Sequence, residues 1–311
     1  MIRVKLLREP EIIAPFRKQS VCKALGFIRL NSDDEPDTST NRRKGLLVGH
    51  SRHADVPVTL IIMIDQSMPK IRIRGLKKAF GELTVLAGVD LDIPDGDNLV
   101  LLGTSGSGKT VLVKCILGLM EPDAGSILID GEETIRRPPV AHEQLMHKIG
   151  VLFQNGALFD SLPVWQNITF GLGDRRGLTP NDARIVATEK LAAVGLGPDV
   201  IDLYPAELSG GMQKRVAFAR AVVSDPEILF LDSPTAGLDP ILTTIVNRLM
   251  ASTIGKLQGT ALTITQDMAS ARQIADRVAL LHGGQIVWEG PTKAIDHSGN
   301  VYVDEFVSRS P

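Results

Sequence analysis

The stretch Gly103-Thr104-Ser105-Gly106-Ser107-Gly108-Lys109-Thr110 constrains this chain more than any other. It fits the pattern G-x-x-x-x-G-K-[ST]. An apolar run, Leu99-Val100-Leu101-Leu102, leads into it, and Val111-Leu112-Val113 with Cys115-Ile116-Leu117 follows. That order predicts a buried strand, a glycine-rich turn and a helix. Glycines let the backbone wrap closely enough for successive N–H groups to converge on one hollow, and the helix N-terminus adds partial positive charge. Lys109 is then placed to reach the β- and γ-phosphates of a nucleotide, and the Thr110 hydroxyl to ligate Mg²⁺. Without a strand before it and a helix after it, the same stretch would read as a Gly/Ser-rich loop beside a lysine.

The 311 residues allow one large domain or two. Hydrophobic residues make up 43% and aromatic ones 4%, which suits an aliphatic α/β interior. The net charge of −2 argues against a nucleic-acid partner held by phosphate neutralisation. Cys22 and Cys115 lie far apart in no metal-like spacing, as expected in a reducing compartment. The run Val58 to Ile64 is far short of the roughly 18 apolar residues of a membrane span. The first ten residues lack the apolar core of a secretory signal. Work at a membrane would need a partner to hold the chain there.

Residues 1–67 differ from the rest. Polar Asn31 to Asn41 and the basic cluster Arg42-Arg43-Lys44 show no sustained period, which predicts a poorly ordered extension. A partner-binding arm and a natural start at Met68 stay open beside it. From Ile71 the chain is regular: Ile71-Arg72-Ile73-Arg74 and Val89 to Ile93 alternate as half-buried strands, Ser126 to Asp130 and Ile149 to Phe153 follow, and 155–224 reads as mainly helical. Thr179-Pro180-Asn181-Asp182 opens one of those helices and Gly195 stops it. Strand signals return at Ile228 to Asp232 and Ala261 to Thr265, and Val278 to Trp288 reads as a hairpin with a glycine turn. Helices between buried strands imply a largely parallel sheet. No chemistry is legible in the tail, 296–311.

Two further features carry chemistry. Asp232 ends a run of four apolar residues, which puts its carboxylate at a strand's C-terminal edge, where α/β folds gather ligand groups. Alone it could be a strand-end cap; with Thr110 it makes a coherent Mg²⁺ pair. Ser209 is a good N-cap for a helix beginning Gly210-Gly211-Met212-Gln213. That is either an ordinary capped helix or a second phosphate-binding surface, its glycines exposing N–H groups at the positive helix end.

The order of Gly103–Thr110, Gln154 after a strand, Leu208-Ser209-Gly210-Gly211-Met212, Asp232 and Gly237-Leu238-Asp239-Pro240 resembles the nucleotide-binding domain of ABC transporters. The resemblance runs from about residue 68 to 295. It implies a P-loop NTPase fold with a mixed, mainly parallel central sheet, an N-terminal antiparallel β subdomain and an inserted helical subdomain. It implies two such domains packed head to tail, ATP lying between one copy's Walker motifs and the other's Ser209-Gly210-Gly211. Phe80 falls where an aromatic stacks on adenine, though spacing alone would read it as core. Gln154 falls where the Q-loop touches Mg²⁺ and senses the transporter, and Asp239 in the loop crossing the dimer interface. The segment Gly156 to Asn167, with Met268 to Arg272 and Ile286 to Pro291, is similar to the ATPase subunit of Mla-type phospholipid transporters, also labelled organic-solvent tolerance systems. That implies permease subunits as partners, a periplasmic lipid-binding protein at one remove, and a peripheral place on the cytoplasmic face of the inner membrane.

Two positions depart from that family. The glutamate that polarises the attacking water is replaced by Ser233, and the switch histidine by Gln266. Serine is no useful proton acceptor near neutral pH, and general-base help is worth about 10²–10⁴-fold in rate. Gln266 can donate an amide hydrogen bond but cannot carry imidazolium charge. ATP and Mg²⁺ binding should survive, while three readings of turnover compete: a slow ATPase, a non-hydrolytic nucleotide-gated subunit, or a trapped or non-natural variant. A P-loop kinase is a further class, and it would need an acceptor site in place of the Ser209 helix.

Overall fold

The computed structural model describes residues 2–6, 45–51, 58–64, 68–172 and 177–309. The chain divides into two units, Met1–Ser67 and Met68–Pro311. In the first, three strands are described: β1 (Ile2–Leu6), β2 (Gly45–Ser51) and β3 (Val58–Ile64). The last pairs antiparallel with both others, Ile64 facing Ile2 on one side and Gly45 on the other. This departs from the expectation of a patternless extension. The run Val58–Ile64 does not alternate, but it is rich in β-branched residues, and a short continuous apolar run is itself a strand signal. The Asn31 to Lys44 segment and Cys22 lie outside the described residues.

The second unit holds two sheets. The smaller is antiparallel, order β5-β4-β7-β8, from β4 (Ile71–Phe80), β5 (Leu83–Ile93), β7 (Ala124–Ile129) and β8 (Glu132–Glu133). The larger is built from β6 (Asn98–Leu102), β9 (Ile149–Leu152), β10 (Ile228–Asp232), β11 (Thr260–Thr265), β12 (Arg277–His282) and β13 (Gln285–Pro291). Its order is β13-β12-β6-β11-β10-β9, parallel from β12 to β9. The edge strand β13 returns antiparallel through Gly283 and Gly284, whose φ of +55° and +74° make the tight hairpin turn. The mixed, mainly parallel sheet and the antiparallel subdomain are those expected.

Residues alternate between faces along a strand, and β10 shows what each face covers. Ile228 and Phe230 join a core with Leu86, Leu99, Leu112 and Ile116, under the antiparallel sheet and α1 (Lys109–Ile116). Leu229 and Leu231 join Ile168, Leu191, Val216 and Phe218 of the helical part. That part, which follows α2 (Pro139–Met146), contains α3 (Val164–Thr169), α4 (Pro180–Ala193) and α5 (Gly210–Ala221). A reciprocal capping box between Thr179 and Asp182 opens α4. Beyond it come α6 (Pro240–Leu257) and α7 (Met268–Ile274). The tail from 296 is also structured: α8 (Val301–Arg309) buries Val303 and lays Phe306 and Val307 on a third core cluster with Val278 and Leu280. Apolar residues at i, i+3 and i+4 make that face, a pattern too short to stand out in the sequence.

Candidate functional site

Parallel pairing sets the site. Asp232 is in register with Ile264, and Thr265 with Leu102, so β10, β11 and β6 end side by side at one edge of the sheet. Each strand hands on a chemical group there: the loop 103–110 after β6, Ser233 after Asp232, Gln266 after β11. All five residues of β6 are buried, which fixes where the loop starts.

The loop can close only with glycine at its turning points. Gly106 and Gly108 have φ of +76° and +102°. A Cβ on Gly103 would lie 2.6 Å from Ser107 Oγ and 2.7 Å from the Leu281 carbonyl. Over Gly106, by contrast, a Cβ would meet nothing within 4 Å. The Lys109 ammonium bends back into this loop and donates to the carbonyls of Gly103 (2.7 Å) and Thr104 (2.8 Å) and to Ser107 Oγ (3.3 Å). Burial lowers its pKa from the ordinary lysine value, and the Asp232 charge counters only part of that. Thr104 and Ser105 are exposed on the rim.

Thr110 Oγ1 donates to Asp232 Oδ2 at 3.1 Å, joining across 122 residues the two groups expected to share a metal. Asp232 is 7% exposed. A hydroxyl and one carboxylate are the hard oxygen donors that suit Mg²⁺, an ion that keeps several waters and takes phosphate oxygens. No cluster of three or more His, Cys, Asp or Glu occurs among the described residues, so the pair fits a metal held jointly with substrate and not by a protein cage. The donors fit Mg²⁺ and the loop fits a phosphate chain.

Ser233 sits in the left-handed region at φ +47°. Its N–H bonds to the Ile264 carbonyl (2.8 Å) and its hydroxyl donates to Asp232 Oδ1 (3.0 Å). The side chain is thus spent on orienting Asp232. Gln266 is exposed, and its amide makes no hydrogen bond to the described residues. Asp267 beside it caps α7, accepting from the N–H groups of Ala269 (3.0 Å) and Ser270 (3.1 Å).

The remaining expected residues lie elsewhere. Ser209 caps α5, its Oγ accepting from the Met212 N–H at 3.3 Å. Gly210 lines a cleft of about 500 Å³ with Gln154, Asn155, Gln213, Lys214, Ala236 and Gly237. None of the loop residues 103–110 is among the residues that line it. Asp239 caps α6 through the N–H groups of Ile241 and Leu242, both 2.9 Å, a role that accounts for it within one chain. Phe80 is 47% exposed, with the Lys78 ammonium 5.7 Å from its ring centre. The core reading of Phe80 is set aside.

Sequence reasoning missed Lys214, Arg220 and Asn167. Lys214 donates to the Gln154 carbonyl, and the Asp232 charge acts on its half-buried ammonium. Arg220 grips the carbonyls of Gly156 and Ala157. Asn167, fully buried, bonds the N–H of Phe159 (2.8 Å) and the carbonyls of Phe159 (3.0 Å) and Leu162 (2.8 Å). For Asn167 the signal available was its place at the end of the segment Gly156 to Asn167; within α3, where Gln166 and Thr169 are also polar, its polarity does not stand out.

A model of the ABC transporter family matches residues 86–236. A Mycobacterium leprae protein named probable ribonucleotide transport ATP-binding protein mkl is 38% identical over 238 residues, covering 76% of this chain and 68% of its own length. The Arabidopsis thaliana protein trigalactosyldiacylglycerol 3, chloroplastic, is 38% identical over 257 residues, covering 77% and 74%. Among solved structures, a dimeric ATP-binding cassette in a post-hydrolysis state with ADP and Pi superposes with a TM-score of 0.67 at 28% identity, over 71% of this chain and 98% of that one. The chain belongs to the ATP-binding proteins of ABC transporters: it is an ABC-type ATPase that takes ATP with Mg²⁺.

Proposed function

We propose that this ABC ATPase drives phospholipid movement through a membrane permease, that two copies close head to tail on the nucleotides, and that Ser233 and Gln266 make its turnover slow. The observation that carries the permease reading is a groove of about 450 Å³ beside β9, lined by Phe153, Phe159, Phe170, Arg220 and neighbours. All three phenylalanines are more than a third exposed, and the rings of Phe159 and Phe170 are 4.4 Å apart. An exposed aromatic concavity with one cation at its wall suits an apolar helix end of a partner. Asn167 shapes it, by folding the Phe159 segment that resembles Mla-type ATPases. Among the described residues no helix is long and apolar enough to cross a membrane, so a permease would hold the chain at the cytoplasmic face of the inner membrane. A periplasmic lipid-binding protein would join only through that permease.

The names of relatives divide on cargo. One refers to ribonucleotide transport and one to a galactolipid, and the second supports a lipid cargo. Head-to-tail closure is supported by the superposed cassette, which is dimeric. In the closed pair Lys109 and the loop N–H groups would hold phosphates, Thr110 and Asp232 the metal, and Phe80 the adenine. Mg²⁺ there supplies neutralisation of phosphate charge. What this chain lacks is a side chain able to take the proton of the attacking water, because the Ser233 hydroxyl serves Asp232.

Affinity purification of the tagged chain from its native membranes, followed by mass spectrometry and reconstitution, tests this. The expected result is a copurifying membrane-spanning chain and ATP-dependent transfer of labelled phospholipid between vesicles. Copurification of no membrane protein, or transfer indifferent to ATP, would overturn it.

A further inference from the structure

The loop after β9 lies across α5 and is fastened to it at both ends. Lys214, Ala217 and Arg220 recur at three-residue spacing and so share one face of that helix. At one end the Lys214 ammonium donates to the Gln154 carbonyl. In the middle a Cβ on Gly156 would lie 3.4 Å from Ala217 Cβ and 3.9 Å from the Gln213 carbonyl, so loop backbone rests directly on helix. At the far end the Arg220 guanidinium donates to the carbonyls of Gly156 (2.6 Å) and Ala157 (2.8 Å).

The backbone here is under strain. Gly156 and Ala157 both adopt left-handed φ, +74° and +50°, and Ala157 has a Cβ to make that unfavourable. Such a conformation persists where surrounding contacts over-determine it. The fork of Arg220 supplies those contacts, because a planar guanidinium can hold two neighbouring carbonyls that a point charge cannot. Arg220 also stands 5.9 Å from the Phe159 ring and lines the aromatic groove, while Gln154 and Gly210 line the other cleft. One side chain therefore touches the wall of the groove, the strained loop and the helix that begins at Ser209.

We infer that Lys214 and Arg220 are positioning residues that clasp Gln154–Ala157 to the helix 210–221, so that the Gln154 side chain and the Ser209 helix end are presented to nucleotide as one rigid piece. Neither touches the phosphate loop; both act through Gln154. The inference depends on ATP turnover by this chain and not on cargo or on the permease, so its failure and theirs are separable.

The test is a double-mutant cycle in the full-length protein. Single-turnover phosphate release, with protein in excess over ATP, is measured for Arg220→Lys, Gln154→Ala and the pair, beside hydrogen exchange of the Gly156 to Phe159 amides. Arg220→Lys keeps the charge and loses the fork. The expected result is a fall in turnover of about tenfold, the worth of a charge-assisted hydrogen bond. ATP affinity should stay within about twofold, because charge and phosphate loop are untouched. Loop exchange should speed by about the same tenfold. In the Gln154→Ala background the substitution should change turnover by less than about twofold, since its route is already cut. Effects that multiply across the cycle, a loss of ATP affinity equal to the loss of turnover, or faster loop exchange with unaltered turnover would each overturn the inference. Should Arg220→Lys fail to fold, Lys214→Met carries the same cycle from the other end of the clasp, and additivity there overturns it equally.

Discussion

Replacing Ser233 with glutamate is the sharpest test of the proposal that this ATPase turns over slowly for want of a general base. The backbone there is left-handed at φ +47°, a cost of about 1–2 kcal/mol for any residue with a Cβ, so glutamate is no worse than serine on that count. Losing the hydroxyl's bond to Asp232 Oδ1 removes about 1 kcal/mol. A carboxylate about 6 Å from Asp232 is repelled by about 3 kcal/mol at an effective dielectric near 20. The ammonium groups of Lys109 and Lys214, both within the field of Asp232, offset part of that. The residual repulsion raises the pKa of the new carboxyl and makes it a better proton acceptor near neutral pH. The gain expected is the general-base factor, about 10²–10⁴-fold in single-turnover phosphate release, with ATP affinity unchanged. Ser233→Gln is the control: it has nearly the same shape and no basicity, and should gain less than about threefold. If glutamate and glutamine behave alike in folded, ATP-binding protein, the missing base is not what limits turnover and the mechanism proposed above fails.

Other parts of the structure predict further outcomes. Lys109→Ala leaves bound phosphate without its ammonium and should weaken ATP binding by about tenfold or more in a fluorescent-nucleotide titration; unchanged affinity would mean the loop is not the site. Ser209→Ala removes the cap of α5, costing about 1 kcal/mol or a fall of about 2–4 °C in melting temperature. If Ser209 also seals a partner copy's nucleotide, turnover should fall well beyond what that destabilisation explains. Burial alone would push Asp130 up, but the hydrogen bond and charge of Lys70 at 2.8 Å, with Lys148, hold it below the ordinary carboxylate range. A depressed carboxylate lends stability that is present above about pH 4 and lost as pH falls through its folded value. Lys70→Met should therefore flatten the loss of stability below about pH 4 in acid-unfolding curves. Burial pushes the Cys115 thiol up to about 11, so it should resist iodoacetamide at pH 8 until the protein is unfolded, as peptide mapping would show.

What the sequence disclosed tracks how local each cause is. The loop 103–110 was legible because glycine at Gly106 and Gly108 answers a backbone need within a few residues. The caps at Thr179 and Ser209 were legible for the same reason, each acting on an N–H three residues on, whereas Asp239, read only as part of the dimer-interface loop, also caps α6. The bond between Thr110 and Asp232 spans 122 residues, yet chemistry predicted it, since a hydroxyl and a carboxylate at strand ends are what a shared metal needs. No such argument reaches Lys214 and Arg220. Their partners are backbone carbonyls about 60 residues away, and a carbonyl leaves no mark on a sequence. The strand β3 and the helix α8 escaped for a different reason: each is a short segment whose apolar face is defined by neighbours, not by its own period.

That separation also shows why binding and turnover can part company here. The groups proposed to hold phosphate and metal follow β6, open α1 or end β10, and their polar atoms are tied to one another: Lys109 to loop carbonyls and Thr110 to the buried Asp232. Removing a partner of the buried Asp232 carboxylate leaves that charge with fewer hydrogen bonds, at a cost in stability. Positions 233 and 266, where the family resemblance expects groups that act on water, directly follow β10 and β11. Gln266 is exposed and unbonded to the described residues, and Ser233 has turned its hydroxyl back into the binding unit. A base and an imidazole can be missing at such positions while the bond between Thr110 and Asp232 is kept.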